Sequence, residues 1–139
     1  MTTARDIMNP GATCVSEDQT VLEAARMMRD MGVGSLPICG NDQKLHGIIT
    51  DRDIVVKCLA EGKDVTTCTT GELAQGEITW VDAMTDVREV VDVMGRDQIK
   101  RLPVIENHQL VGMISEADLA RHLDEHQLSE FVEKVFARS

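Results

Sequence analysis

Most of this chain is written twice, and that duplication restricts its fold more than any other feature. Gly47-Ile48-Ile49-Thr50-Asp51-Arg52-Asp53 returns as Gly112-Met113-Ile114-Ser115-Glu116-Ala117-Asp118. Each copy is a glycine, a short apolar stretch, a hydroxyl residue and an aspartate three places on. Thr13-Cys14-Val15 aligns with Thr79-Trp80-Val81 at an offset of 66, and there Val21 meets Val87, Met28 meets Met94 and Leu36-Pro37 meets Leu102-Pro103. One residue is lost before the second glycine, so Thr50 and Asp53 meet Ser115 and Asp118 at an offset of 65. Two copies are too few for a solenoid. They suit a pseudo-twofold pair, each half covering the other's apolar face.

Within each half the pattern predicts a helical turn, strand, helix, strand, strand and helix. A helix after Thr20 carries Val21, Leu22, Ala24, Ala25 and Met28 and stops at Gly32, a residue suited to a left-handed cap. Its counterpart after Asp86 carries Val87, Val90, Val91 and Met94. Leu36-Pro37-Ile38-Cys39 and Leu102-Pro103-Val104-Ile105 read as strands with proline near the start. Gly40-Asn41-Asp42-Gln43 and Glu106-Asn107-His108 read as hairpin turns into the glycine strands. Residues 1–66 hold the first repeat with an N-terminal turn and linker. Residues 67–139 hold the second with a C-terminal amphipathic helix.

The duplicated motif has two readings. Thr50 and Ser115 suit an N-cap, where the hydroxyl accepts from an amide of the first turn and an acid at N3 reaches back. Elsewhere the chain answers such caps with glutamate, as at Thr20/Glu23 and Asp86/Glu89, but here it uses aspartate both times. A short carboxylate at a strand-to-helix corner also suits the vicinal hydroxyls of a ribose, and the helix N-terminus favours phosphate.

Composition sets limits. At 139 residues with 42% hydrophobic content the chain can form one compact core, yet aromatics are only 2%, so aliphatic residues and the eight methionines must fill it. A net charge of −10 argues against nucleic-acid and anionic-membrane surfaces. No run of about 18 apolar residues and no signal-peptide pattern occur, so a cytoplasmic protein is expected. Triad, phosphate-loop and zinc-protease motifs are absent, and no catalytic role is read.

The duplicated order of elements, Leu-Pro before the middle strand, and Gly-h-h-Thr/Ser-x-x-Asp (h apolar) resemble a pair of cystathionine-β-synthase (CBS) domains. The match covers nearly the whole chain, in register, twice. It implies an α/β module of two β-α-β-β-α repeats packed as a pseudo-twofold, Bateman-type pair. Such pairs often hold AMP, ATP or another adenosyl ligand in clefts between the halves. The resemblance then points to Thr50, Asp53, Ser115 and Asp118 as ribose- and phosphate-side residues. Arg52, Lys100 and Arg101 become the phosphate-facing cations, and Thr13, Val15, Thr79 and Val81 flank the base. The copies differ, since Ala117 stands opposite Arg52 and Gly34-Ser35 opposite Lys100-Arg101. Trp80, the only tryptophan, is expected to pack at its strand position, with stacking over a purine as the alternative.

Resemblance also makes the first two strands neighbours, which points to Cys14–Cys39 as a disulfide pair; two buried thiols are the alternative. Cys58 and Cys68 flank the linker and could bridge as well, since four cysteines allow three full connectivities. A disulfide would admit an extracytoplasmic location. His122 and His126 are four apart on an expected helix and share a face, as zinc ligands do, with solvated histidines as the alternative.

The resemblance then implies a non-enzymatic, stress- or hypoxia-linked regulatory or sensing module that binds an adenosyl nucleotide and acts in trans on a protein partner. The alternative is a structural or redox-responsive stress protein with an empty cleft, held by a disulfide or metal. Leu128, Phe131, Val132, Val135 and Phe136 form one apolar stripe on the last helix. That stripe either lies on its own module or crosses to a second subunit, and the family resemblance favours a homodimer.

Overall fold

The computed structural model describes residues 1–11, 13–74, 78–123 and 125–136. The elements are α1 (Ala4–Ile7), β1 (Asn9–Pro10), β2 (Val15–Ser16), α2 (Val21–Met31), β3 (Ser35–Cys39), β4 (Leu45–Thr50) and α3 (Asp51–Asp53). A π-helical turn, Ile54–Leu59, continues α3. Then follow α4 (Thr70–Leu73), β5 (Val81–Asp82), α5 (Val87–Arg96), β6 (Arg101–Glu106), β7 (Gln109–Ser115), α6 (Glu116–His122) and α7 (Glu125–Phe136). The mixed α/β order is the one the repeats predict.

Two compact units result, and they do not divide the chain at 66/67. One is Thr13–Ile78; the other joins Met1–Ala12 to Thr79–Ser139. The N-terminal turn belongs with the second repeat because its backbone is tied there. Ala4 N–H donates to Thr85 O at 2.8 Å and Arg5 N–H to Ala83 O at 2.9 Å. Strand β1 also pairs antiparallel with β7. In exchange, α4 stays with the first repeat, where the buried Thr70 hydroxyl donates to Ser16 O at 2.8 Å.

The first-repeat unit holds a three-stranded sheet in the order β2-β3-β4, with β2 parallel to β3 and β4 antiparallel. Helix α2 begins where Glu23 N–H donates to the Thr20 hydroxyl at 3.2 Å. It ends at Gly32, whose φ of 67° is the left-handed cap conformation. Val15, Val21, Ala24, Leu36, Ile38, Ile49, Leu73, Cys58 and Cys68 form the core. In the π-helical turn Ala60 N–H reaches back five residues to Val55 O at 2.9 Å. This wider turn buries Ile54 and Cys58 and leaves Val55 and Leu59 exposed, so the apolar face there is narrower than an α-helical spacing implies.

The second-repeat unit has the sheet order β1-β7-β6-β5, with β5 parallel to β6. Its hairpin closes at Asn107 and His108, both at positive φ (52° and 68°), which matches the right-handed twist of the strands. A register shift after Ile38 in the first hairpin recurs after Val104 in the second. The glycines sit at equivalent places, Gly47 opposite Ile38 and Gly112 opposite Val104. At Gly112 a Cβ would lie 2.7 Å from the Asn9 carbonyl, so only glycine lets β1 pair with β7. The core is aliphatic around Met94, with Leu102, Ile114, Leu119 and Phe131 fully buried. Met28, Met94 and Met113 are buried whereas Met1, Met31 and Met84 are exposed, so aliphatic residues do most of the filling.

Helix α7 places Phe131 in that core at 1% exposure, with Leu128 packed against it and Val132 exposed. The stripe's inner half thus lies on its own unit. Val135 and Phe136 lie outside the residues whose side chains are described.

Candidate functional site

Each strand-to-helix corner is built by its repeat in the same way. At the first, β4 delivers Thr50 in extended conformation and α3 starts at once. Asp53 N–H donates to the Thr50 hydroxyl at 3.1 Å, and Thr50 N–H donates to Asp53 Oδ2 at 3.0 Å. Asp53 is 6% exposed, and Lys57 Nζ stands 3.2 Å from its Oδ1. The same ammonium donates to Leu73 O at 3.4 Å, joining the corner to α4.

At the second corner Ser115 N–H donates to Asp118 Oδ2 at 2.7 Å, and the Ser115 hydroxyl donates to the same oxygen at 2.9 Å. Asp118 is 1% exposed. The Asn9 side-chain amide stands 3.0 and 2.8 Å from its two oxygens, and Arg121 forms an ion pair with Oδ1. Both motif aspartates therefore close capping boxes and pair with a cation from the next helical turn. Burying a carboxylate at this depth requires such partners.

The remaining candidates are distributed around these corners. Arg52 is exposed on α3, and Lys100 is exposed before β6 with its carbonyl accepting from Glu116 N–H at 3.1 Å. Arg101 is half-buried on β6, where burial lowers its pKa and the charge of Asp118 partly restores it. Val15 and Val81 are buried strand residues, whereas Thr13 is exposed and Thr79 half-buried. Trp80 is 52% exposed, contrary to the expected packing role; the inward position on this short strand goes to Val81 instead. His122 and His126 do not share a helix. Leu123 ends α6 in extended conformation and α7 restarts at Glu125, so the four-residue spacing places them on different elements. Nδ1 of His122 lies 2.9 Å from Asp118 O. Among the described residues no group of three or more His, Cys, Asp or Glu is placed to hold a metal ion.

Cys14 and Cys39 are joined by a disulfide, with Cα atoms 5.6 Å apart and a sequence separation of 25. Parallel pairing of β2 with β3 sets Ser16 opposite Cys39, which brings Cys14 within reach. Cys58 and Cys68 are free and buried.

The sequence reading missed Lys57 and Arg121, although their i+4 and i+3 spacing from the motif aspartates is a signal that could have found them. Asn9 gave no such signal, because it comes from the other end of the chain.

A family model described as CBS domain matches residues 4–59 and 71–125. The chain belongs to the CBS-domain family. Hypoxic response protein 1 of Mycobacterium tuberculosis (strain CDC 1551 / Oshkosh) is 54% identical over 135 residues, covering 97% of this chain and 94% of that protein. A crystal structure described as hypoxic response protein I with two coordinated zinc ions shares a TM-score of 0.82 at 55% identity, covering 88% of this chain and 100% of that one. A structure of CBSX2 in complex with AMP has a TM-score of 0.77 at 20% identity over 88% of this chain and 96% of that one, a likeness of fold alone. No described helix is long and apolar enough to cross a membrane.

Proposed function

We propose that this chain is a non-catalytic regulatory stress protein of the hypoxic-response kind, locked in its first-repeat unit by a disulfide and acting in trans on a protein partner. The observation that carries this reading is the Cys14–Cys39 bond, which fixes β2 to β3. A redox-dependent bond at the edge of a three-stranded sheet gives the unit a locked and an unlocked state. The likeness to hypoxic response protein 1 supports the stress assignment. The two motif corners supply rigidity, since Asp53 and Asp118 are already held by Thr50, Lys57, Asn9, Ser115 and Arg121.

A second reading is favoured by Arg101, a half-buried cation whose charge feels Asp118. In it the corners take an adenosyl nucleotide, with the ribose hydroxyls replacing Asn9 on Asp118; a protein of the same fold, CBSX2, has been crystallised in complex with AMP. Zinc is carried over from the hypoxic response relative only as a proposal, with His122 and His126 as candidate donors from separate helices.

Calorimetric titration of AMP, ATP and S-adenosylmethionine into the disulfide-bonded protein separates the readings. No saturable heat is expected. Micromolar binding that Asp118→Ala weakens would replace the first reading with the second.

A further inference from the structure

We propose that the Cys14–Cys39 bond is opened by an external dithiol that attacks the sulfur of Cys14 and not that of Cys39. The proposal rests on the redox reading above and names the sulfur and the class of reactant through which the lock opens. Cys14 is half-buried and lies just before the paired residues of β2, after the exposed Thr13. Cys39 closes the middle strand β3 at 5% exposure. Exchange depends on which sulfur an incoming thiolate can reach, since it approaches along the S–S axis from the side away from the leaving sulfur. Cys14 Sγ offers that approach from solvent, and the buried Cys39 does not.

The placement of the bond on the sheet isolates it from the other thiols of the chain. Val15 and Ile38 pair across β2 and β3, and both lie in the first-repeat core with Cys58 and Cys68. Side chains alternate along a strand, so Cys14 and Cys39, each next to one of that pair, sit on the opposite face of the sheet. Cys58 Sγ and Cys68 Sγ instead approach Lys63 O and Thr69 O, at 3.7 and 3.9 Å. Burial also pushes the Cys68 thiol up to about 11, which keeps it protonated at neutral pH. The attacking thiolate therefore comes from outside the chain.

What the first step leaves behind selects a dithiol. A bond forms between the incoming sulfur and Cys14 Sγ, the bond to Cys39 breaks, and Cys39 departs as a thiolate. The backbone keeps that thiolate at hand. β2 stays paired with β3, and α4 holds it from the other side, with the Thr70 hydroxyl donating to Ser16 O at 2.8 Å and Gly71 N–H to Glu17 O at 3.0 Å. Cys39 thus attacks Cys14 again at high effective concentration and expels a monothiol. A dithiol escapes this return. Its second thiolate attacks its own sulfur in the mixed disulfide, closing a disulfide within the reductant and releasing Cys14 as a thiolate. Two electrons pass to the protein, and the two protons of the dithiol end on Cys14 and Cys39.

The test uses the folded full chain with Cys14–Cys39 closed, treated anaerobically with β-mercaptoethanol or dithiothreitol, quenched in acid, alkylated and mapped by mass spectrometry. The monothiol is expected to leave an adduct on Cys14 beside a free Cys39 thiol, and its removal by gel filtration to restore the bond. Dithiothreitol is expected to free both cysteines with no adduct accumulating. Single variants give an independent measurement against the C14S/C39S background of Cys58 and Cys68. The Cys14 thiol of C39S is expected to react with an aromatic disulfide reagent, and the Cys39 thiol of C14S to lose that reactivity until urea unfolds the chain. An adduct on Cys39, adducts on both sulfurs alike, or release by the monothiol as complete as by the dithiol would overturn the proposal and leave a reducible lock. A bond that neither reagent opens in the folded chain would remove the redox reading with it.

Discussion

The side-chain amide of Asn9 stands 3.0 and 2.8 Å from the two carboxylate oxygens of Asp118, across 109 residues of sequence. Through this pair the first strand of the chain is fastened to the motif corner of the second repeat. Asn9→Ala removes a charge-assisted bond to a buried carboxylate and is expected to cost about 1–3 kcal/mol. Asp118→Ala should cost at least as much, because it strips Asn9, Ser115 and Arg121 of their acceptor together. Urea unfolding of the two single variants and the double variant measures the coupling. Simple additivity of the two losses would show that the contact carries no energy.

Phe131 separates packing from assembly. Its burial in the second-repeat unit predicts that Phe131→Ala destabilises by about 3–5 kcal/mol. Val132 is exposed on the next position, so Val132→Asp should leave folding within about 0.5 kcal/mol. The homodimer favoured by family resemblance is tested with this second variant. Sedimentation equilibrium should show a wild-type dimer that Val132→Asp weakens if α7 crosses to a partner. An unaffected dimer would place its interface elsewhere, and a monomeric wild type would remove the proposal.

Acid should loosen the helix caps. Thr69 N–H holds the Glu72 carboxyl below the usual range, and the Arg88 guanidinium and N–H do the same for Asp86. Because both folded-state values are depressed, the stability they contribute is present above the unfolded values, near pH ~4. It is lost as pH falls through the folded ones. Urea midpoints should be flat with respect to these groups down to about pH 5 and decline below that, less steeply in Glu72→Gln and Asp86→Asn. Equal acid slopes in wild type and both variants would contradict the assignment.

Much of this was legible in the sequence because the repeat is its own control. Strand and helix positions, the Thr20 and Asp86 caps, Gly32 as a terminator and the hairpin at Asn107-His108 all follow from local chemistry. The division of the chain into units was not legible. Nothing near Thr3 or Asn9 signals a partner such as Thr85 or Asp118, since that pairing depends on sheet order rather than on local pattern. Trp80 misled because a two-residue strand has one inward position, which Val81 occupies. His122 and His126 misled because helical spacing was carried across a break at Leu123 that has no glycine or proline to mark it. The π-helical turn after Asp53 was hidden for the same reason.

The account rests most heavily on the Cys14–Cys39 bond, and thermal or urea unfolding of the oxidised and reduced protein tests it most directly. A loop of this length predicts about 3 kcal/mol of stability on the chain-entropy account. Reductant should therefore lower the unfolding midpoint of wild type and leave C14S/C39S unchanged at the reduced value. Identical midpoints for oxidised and reduced wild type, with the bond verified by mass spectrometry, would contradict a disulfide-locked module.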